Sequence, residues 1–498
     1  MLKKLPFLAL LGLLACSSEQ PLTSNQSFEN THLLFDMESE VARVPCKIQG
    51  KIPSWLTGTL LRNGPAKFQV GDHHVDWFDG LAMLHAFEFA PDKVLYSNRF
   101  LRSKQYYIMM VEKSLDFGGF AQDPCPKVFK NQTSHLIPSE MQNIQNADVS
   151  IQEYADKMVA LTEIPLPALF NPQTLETLGV FNYQDSLAQG QWESAHPLHD
   201  LNSQETVNYF IRFGRNSSYV IWKMPDHQRA REVIAEIPVD FPAYMHSFAL
   251  TEHYVVLVEF PFVVNPLDLL LEKKPFIFNY KWMPEKGTIF HVIDRASGKT
   301  SKIKGAPFFA FHHANAFDKD GKIFLDIVTY PNANVIEEIE NQIEANQATK
   351  LERFTITLAN QTLSKETLFN KTLELPRIPA PLTAREYRYC YAVDATFPTT
   401  LKDQPPLYKI DTVTKTSLSW SEEGCFPGEP IFVPQPDGQK EDEGVVLSVV
   451  LDFAHHRSFL LILNGSDFTE LARAEVPQPI PVGLHGLWSP RTNAIFSH

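Results

Sequence analysis

From residue 40 onward the apolar positions fall in short runs, and Pro, Gly, Asn and Asp separate them. GTLLRNGP (58–65), NYFIRFG (208–214), SYVIWKM (218–224), HYVVLVEF (253–260), TIFHVID (288–294), KIFLDIVTY (322–330), ERFTITL (352–358), GVVLSVVLD (444–452) and SFLLILNG (458–465) are examples. Val, Ile, Phe and Tyr dominate them, and turn signals recur at short intervals, the pattern of strands in a closed β architecture, either a barrel or a propeller. No near-identical repeat marks individual blades. Helical periodicity is sparse, and its best stretch is NANVIEEIENQIEANQATKLE (332–352). No linker divides residues 40–498.

Within this pattern the histidines stand out. FFAFHHANAF (308–317) carries two adjacent imidazoles in an apolar run. Read as a strand, it sends His312 and His313 to opposite faces, with Phe308, Ala310 and Ala314 beside His312 and Phe309, Phe311 and Asn315 beside His313. His196 in ESAHPL, His246 in YMHSFAL and His485 in VGLHGLW have similar apolar settings. They lie far apart and match neither the HExxH spacing nor the clustered Cys/His of a structural zinc site. A propeller accommodates such scatter, because each blade can send one residue to the axis.

Composition narrows the function classes. A net charge of −14 and the lack of a basic run argue against nucleic-acid binding. MLKKLPFLALLGLLAC (1–16) has a basic start and an apolar run too short to span a bilayer, which reads as a signal peptide. Leu13-Leu14-Ala15-Cys16 resembles a bacterial lipobox, so residues 1–15 are expected to be removed and Cys16 to carry lipid. Ser17 and Ser18 follow with no Asp, and by resemblance to lipoprotein sorting this favours the outer membrane, on its periplasmic side. Residues 16–39 then form a polar, flexible tether. The remaining Cys46, Cys125, Cys390 and Cys425 have no CxxC spacing and are read as packing residues.

Several longer motifs resemble the carotenoid cleavage oxygenase family: GTLLRNGPAKF with WFDGLAMLHAFEF, YMHSFALTEHYVVLVE, FHHANAFD, GEPIFVP with EDEGVVLSVVLD, and SFLLILNGSDFTELARAEVPQPIPVGLHG. FAQDPCPKVF is closer to the animal-type branch, which includes the retinoid isomerohydrolase. The resemblance covers residues 40–498 and implies an all-β fold, a seven-bladed β-propeller with a cap of loops and short helices over the metal face. It implies Fe(2+) held by His196, His246, His312 and His485, with His313 turned away to a core hydrogen bond. Glu163, Glu374 and Glu429 match the family carboxylates that accept hydrogen bonds from the ligand histidines, with the pairing left open. Leu484 stands where many members carry Phe.

The activity implied is a non-haem iron dioxygenase that uses O2 to split a conjugated double bond of a carotenoid or apocarotenoid into two carbonyl products. Retinoid isomerohydrolysis and stilbene cleavage on the same iron cage are alternatives, and a metal-free propeller lipoprotein binding an apolar ligand is a further one. No catalytic residue beyond the metal centre is implied. An apolar polyene must be drawn from a membrane surface, and residues 260–282 offer Val263, Val264, Leu267, Leu269, Leu270 and Leu271 for a tunnel mouth that dips into it. YYIMMVEKSLDFGGF (106–120) is a second candidate.

Overall fold

The computed structural model describes residues 33–71, 73–114, 120, 143–187, 190–271, 274–340 and 348–490. The apolar runs pair with their chain neighbours into antiparallel sheets, seven of them with four to six strands each. These are the blades of a β-propeller. Blades 2 to 6 follow the chain, from Ser150–Tyr154 at the start of blade 2 to Thr416–Trp420 at the end of blade 6.

Blades 1 and 7 close the ring by mixing the two ends of the chain. In blade 1 the C-terminal strand Gly486–Ser489 pairs with Gly58–Pro65, Thr59 opposite Ser489. In blade 7 the N-terminal strand Lys47–Gly50 pairs with Glu470–Glu475. Each closure ties residues more than 400 positions apart into a single ladder, which locks the ring shut between the two ends of the chain.

Burial explains why few strands alternate cleanly in sequence. Central strands such as Glu205–Arg212, Gly58–Pro65 and Gly444–Asp452 are packed on both faces by neighbouring blades, so they are buried along nearly their whole length, polar positions included. Strands at the rim, such as Glu232–Val239, show one buried and one exposed face. Large aromatic residues fill the gaps between blades, with Trp222, Tyr96, Tyr209 and Phe87 wholly buried. Each such burial contributes on the order of 2 kcal/mol.

Three short α-helices are described. Lys104–Met110 is capped by the Ser103 hydroxyl, which accepts from the Tyr106 N–H, and it is joined by Asp268–Leu271 and Asn334–Glu340. Gln105, Val335 and Ile339, from the helices Lys104–Met110 and Asn334–Glu340, line the central cavity, so those two helices belong to a cap over it. The helix expected over 332–352 is shorter: by Lys350 the chain has entered the strand Lys350–Thr357, whose alternate residues pack into blade 5.

Two other expectations change. The tether expected over 16–39 ends earlier, because Leu33 and Met37 are buried and Asp36 accepts from Lys67 Nζ at 2.5 Å and from the Phe68 N–H at 2.7 Å. Val263, Val264 and Leu269 are core residues and cannot meet a membrane. Val263 is held in the two-residue strand Phe262–Val263 paired with Lys281–Trp282, and Leu269 faces inward from its helix. Leu267, Leu270 and Leu271 are 59, 62 and 77% exposed. Cys46, Cys390 and Cys425 are buried free thiols, while Cys16 and Cys125 lie outside the described residues, as does most of 115–142. Among the described residues no helix is long and apolar enough to cross a membrane.

Candidate metal centre

Every blade sends one residue of the predicted set to the axis. His485 immediately precedes the inner strand of blade 1, Glu163 follows Lys157–Leu161 of blade 2, and His196 sits between Trp192–Glu193 and Leu198–Asp200 of blade 3. His246 lies just ahead of Ala249–Leu250 in blade 4, and His312 just ahead of His313–Lys319 in blade 5. Glu374 opens Glu374–Arg377 in blade 6, and Glu429 lies between Cys425–Pro427 and Ile431–Pro434 in blade 7. The four histidines therefore come from blades 1, 3, 4 and 5, and the three glutamates from blades 2, 6 and 7. Most of the seven interrupt or precede a strand, which frees the backbone to aim the side chain along the axis.

The ligand atoms of His196, His246, His312 and His485 all lie within 4.8 Å of one another. The Nε2 atoms of His196 and His246 are 2.8 Å apart, and those of His312 and His485 are 3.2 Å apart. The carboxylates fix which nitrogen points inward. His246 Nδ1 donates to Glu163 Oε1 at 2.7 Å, His312 Nδ1 to Glu374 Oε2 at 2.6 Å, and His485 Nδ1 to Glu429 Oε1 at 2.7 Å. With the proton on Nδ1, each Nε2 presents a lone pair to the axis. His196 has no carboxylate partner among the described residues. It is placed through its backbone instead, since the Ser194 hydroxyl accepts from its N–H and donates to the His246 carbonyl.

Burial, reinforced by the neighbouring imidazoles and Arg377, holds His196 well below the ordinary histidine range, and burial pushes His485 down to about 3 despite Glu429. Both are neutral at physiological pH, the form that binds metal. The donor set fits a divalent first-row ion: metal–imidazole bonds of about 2.1 Å at right angles place neighbouring nitrogens about 3 Å apart.

The three glutamates are held differently. Glu163 accepts from the Tyr244 hydroxyl at 2.8 Å and from Trp192 Nε1 at 3.1 Å. Glu374 accepts from the Tyr330 hydroxyl at 2.7 Å and the Leu375 N–H. Burial pushes the Glu374 carboxyl up, but His312 and these donors bring it below the usual range. Glu429 accepts from Arg62 Nη1 and Arg377 Nε, both at 2.6 Å, and from the Gly486 N–H at 2.9 Å. Burial opposes its charge too, yet Arg377, His485 and Arg62 hold its carboxyl far below the usual range. Gly486 is required by contact, since a Cβ there would lie 2.5 Å from Arg62 Cδ and 2.6 Å from the Leu61 carbonyl oxygen.

Arg62, Arg377, Tyr244, Tyr330 and Trp192 were not anticipated. A signal existed for Arg62, an arginine in an otherwise apolar strand, which needs a buried partner. His313 points elsewhere: its Nδ1 donates to Ser247 Oγ at 2.8 Å, and that hydroxyl donates to the Phe311 carbonyl. The strict alternation expected for 308–315 does not hold, because the strand starts only at His313 and a bulge follows, and Phe311 lines the same cavity as His312.

Above the histidines the cavity is walled largely by apolar side chains, including Phe78, Phe120, Trp192, Phe276 and Phe397, with Leu484 beside His485. The profile of the family described as RPE65, retinal pigment epithelial membrane protein, matches residues 34–490. The chain belongs to this family, the carotenoid cleavage oxygenases. Among its relatives, mouse beta,beta-carotene 15,15'-dioxygenase is 32% identical, with 91% of this chain and 90% of the mouse protein covered. The carotenoid isomerooxygenase of Galleria mellonella is 33% identical over 89% of this chain and 93% of its own length. Cobalt-substituted Synechocystis ACO superposes with a TM-score of 0.78 at 26% identity, covering 92% of this chain and 98% of that one. An ACO/RPE65 chimera superposes with a TM-score of 0.79 at 27% identity and the same coverage. In this carotenoid cleavage oxygenase His246, His312 and His485 line a cavity whose walls are largely apolar.

Proposed function

We propose that this chain is a carotenoid cleavage dioxygenase that splits one conjugated C=C bond of a carotenoid or apocarotenoid with O2. One oxygen atom goes to each product, and two carbonyl compounds leave. The observation that carries the reading is the convergence of four imidazole nitrogens within 4.8 Å beneath an apolar cavity, in a chain whose family relatives are named for this reaction. His196, His246, His312 and His485 would hold Fe(2+). Iron, when bound, supplies the redox chemistry between O2 and the polyene.

The chain's own residues prepare the site. Glu163, Glu374 and Glu429 keep the proton on Nδ1 of three ligands and hold the rings in place. Their negative charge, offset in part by Arg62 and Arg377, compensates a cation supported by neutral ligands. Aromatic walls exclude water and restrain the polyene, so that the bond presented to the metal is set by how deep the chain slides. No general acid or base is needed for a cleavage that places oxygen on both carbons.

For location, we read Leu13-Leu14-Ala15-Cys16 as a lipidation site that anchors the protein at the periplasmic side of the outer membrane, with exposed Leu267, Leu270 and Leu271 as a second contact with the membrane surface. The test of function is anaerobic loading with Fe(2+), then reaction of carotenoids and apocarotenals with ¹⁸O2. The expected result is a pair of aldehydes or ketones, each carrying one ¹⁸O. An alcohol product from a retinyl ester would assign the isomerohydrolase reaction instead, and cleavage of a hydroxylated stilbene alone would assign that substrate class.

A further inference from the structure

The cavity is not uniformly apolar. On one wall the stretch Asn143–Val149 runs beside the start of the helix Lys104–Met110, tied to it by the Lys104 N–H to the Ile144 carbonyl at 2.8 Å and by Gln105 Nε2 to Gln145 Oε1 at 3.2 Å. From this wall Gln105, Asn146, Asp148 and Val149 line the cavity, and Gln105 and Asp148 are 5 and 2% exposed. Each has one oxygen, Gln105 Oε1 and Asp148 Oδ2, with no hydrogen-bond partner among the described residues. The orientation of Gln105 is fixed by its neighbour, because Gln145 donates from its own Nε2 to the Asn143 carbonyl and so offers Oε1 to Gln105.

An unsatisfied buried oxygen costs on the order of 1–3 kcal/mol, and two of them on residues that line one cavity call for an explanation. We infer that Gln105 and Asp148 form a polar anchor for a hydroxyl group on the polyene, so that the preferred substrate is a hydroxylated carotenoid or apocarotenoid rather than a pure hydrocarbon. The inference rests on the reading of the cavity as the polyene site. Gln105 Oε1 can only accept, which calls for an O–H and not a carbonyl. A hydroxyl donates to it and has lone pairs left for a second partner. Asp148 can supply that partner: burial, with Asp79 and Glu163 nearby, pushes its carboxyl well above the ordinary range, which favours the protonated form that can donate. A hydrocarbon leaves both groups unpaired. A site built around such groups discriminates against the analogue that lacks the hydroxyl more strongly than an apolar wall discriminates by shape.

The test compares β,β-carotene with its 3-hydroxy derivative, in the wild-type protein and in Asp148→Leu, Asp148→Asn and Gln105→Leu. Turnover is measured on the iron-loaded enzyme. Binding is measured separately on the metal-free protein by quenching of tryptophan fluorescence, since Trp77 and Trp192 line the cavity. The wild type is expected to favour the hydroxylated polyene by about 10-fold or more in both measurements. Asp148→Leu should lower affinity and kcat/KM for it by roughly 10- to 100-fold and lower them by much less for the hydrocarbon. Asp148→Asn should retain most of the preference, and Gln105→Leu should lose part of it. Asp148→Leu also removes an unpaired buried group, so its melting temperature should not fall. Equal treatment of the two polyenes by the wild type, or equal losses on both in Asp148→Leu, overturns the anchor. Turnover without preference discards the anchor and keeps the dioxygenase; preferential binding without turnover does the reverse.

Discussion

Glu429 does a different job from Glu163, although both accept from a ligand imidazole. Glu163 is surrounded by neutral donors, whereas Glu429 also neutralises two guanidinium groups, one of them, Arg62, fully enclosed. Glu163→Gln should therefore leave the fold intact and weaken iron retention by roughly 10- to 100-fold. Glu429→Gln should do the same and also lower stability by about 3 kcal/mol, because it strands buried positive charge. Thermal melts and iron per chain separate the two effects, and equal melting temperatures for the two variants would remove the charge argument. His312 and His313 give a second contrast. His312→Ala should abolish iron binding, while His313→Ala, which loses one hydrogen bond to Ser247, should keep its iron at a stability cost of about 1 kcal/mol. The histidines could be picked out in sequence because an imidazole in an apolar run is costly without a partner. Their carboxylate pairing could not, since Glu163 and His246, or Glu429 and His485, meet only once separate blades are assembled around the axis.

Strands were readable where they are long and central, and unreadable where they matter most for chemistry. The inner strands are broken into pieces as short as Trp192–Glu193 and Ala249–Leu250, because ligand residues interrupt them, and pieces of two residues carry no periodicity. The short helix Asp268–Leu271 shows the converse. Its leucine run looked uniformly apolar in sequence, yet one leucine packs inward and two, with Leu267 before them, face solvent. Such an exposed apolar patch, on a protein proposed to take a water-insoluble substrate, is consistent with the proposed contact with lipid. Replacing Leu267, Leu270 and Leu271 together with Ser should leave the melting temperature near wild type, since all three are exposed. It should lower partition of a chain starting at Phe28 onto phosphatidylcholine vesicles by at least 10-fold, as scored by flotation. Turnover of detergent-dispersed polyene should be unchanged while turnover of vesicle-borne polyene falls. Unaltered flotation would leave the patch without a membrane role.

At the scale of the whole molecule, the closed β architecture followed from turn spacing, but the number of blades did not. Blade sequences share no repeat, and two blades borrow strands from the opposite end of the chain, Lys47–Gly50 into blade 7 and Gly486–Ser489 into blade 1. That double closure bears on how the protein can be tethered. With Leu33 and Met37 already packed on the propeller, anchoring at Cys16 leaves the segment up to residue 32 as the tether, with a reach of at most about 3.5 Å per residue. On the proposed anchoring, the propeller would meet the bilayer without the anchor dictating its orientation, which would fall to the proposed contact at Leu267, Leu270 and Leu271. Each acyl CH₂ buried in the bilayer contributes about 0.8 kcal/mol, so more than one chain on Cys16 gives an attachment that the three leucines alone cannot match. Cys16→Ser in a two-membrane bacterium should move the protein out of the outer-membrane fraction. The chain starting at Phe28, purified and loaded with Fe(2+), should keep full iron content, because the four histidines and three glutamates all lie within residues 163–485. Mass spectrometry of the native N-terminus decides the anchor directly. An acylated Cys16 as first residue is the expected result, and an unmodified Cys16, or a mature chain that starts beyond it, would leave membrane contact to the leucine patch alone.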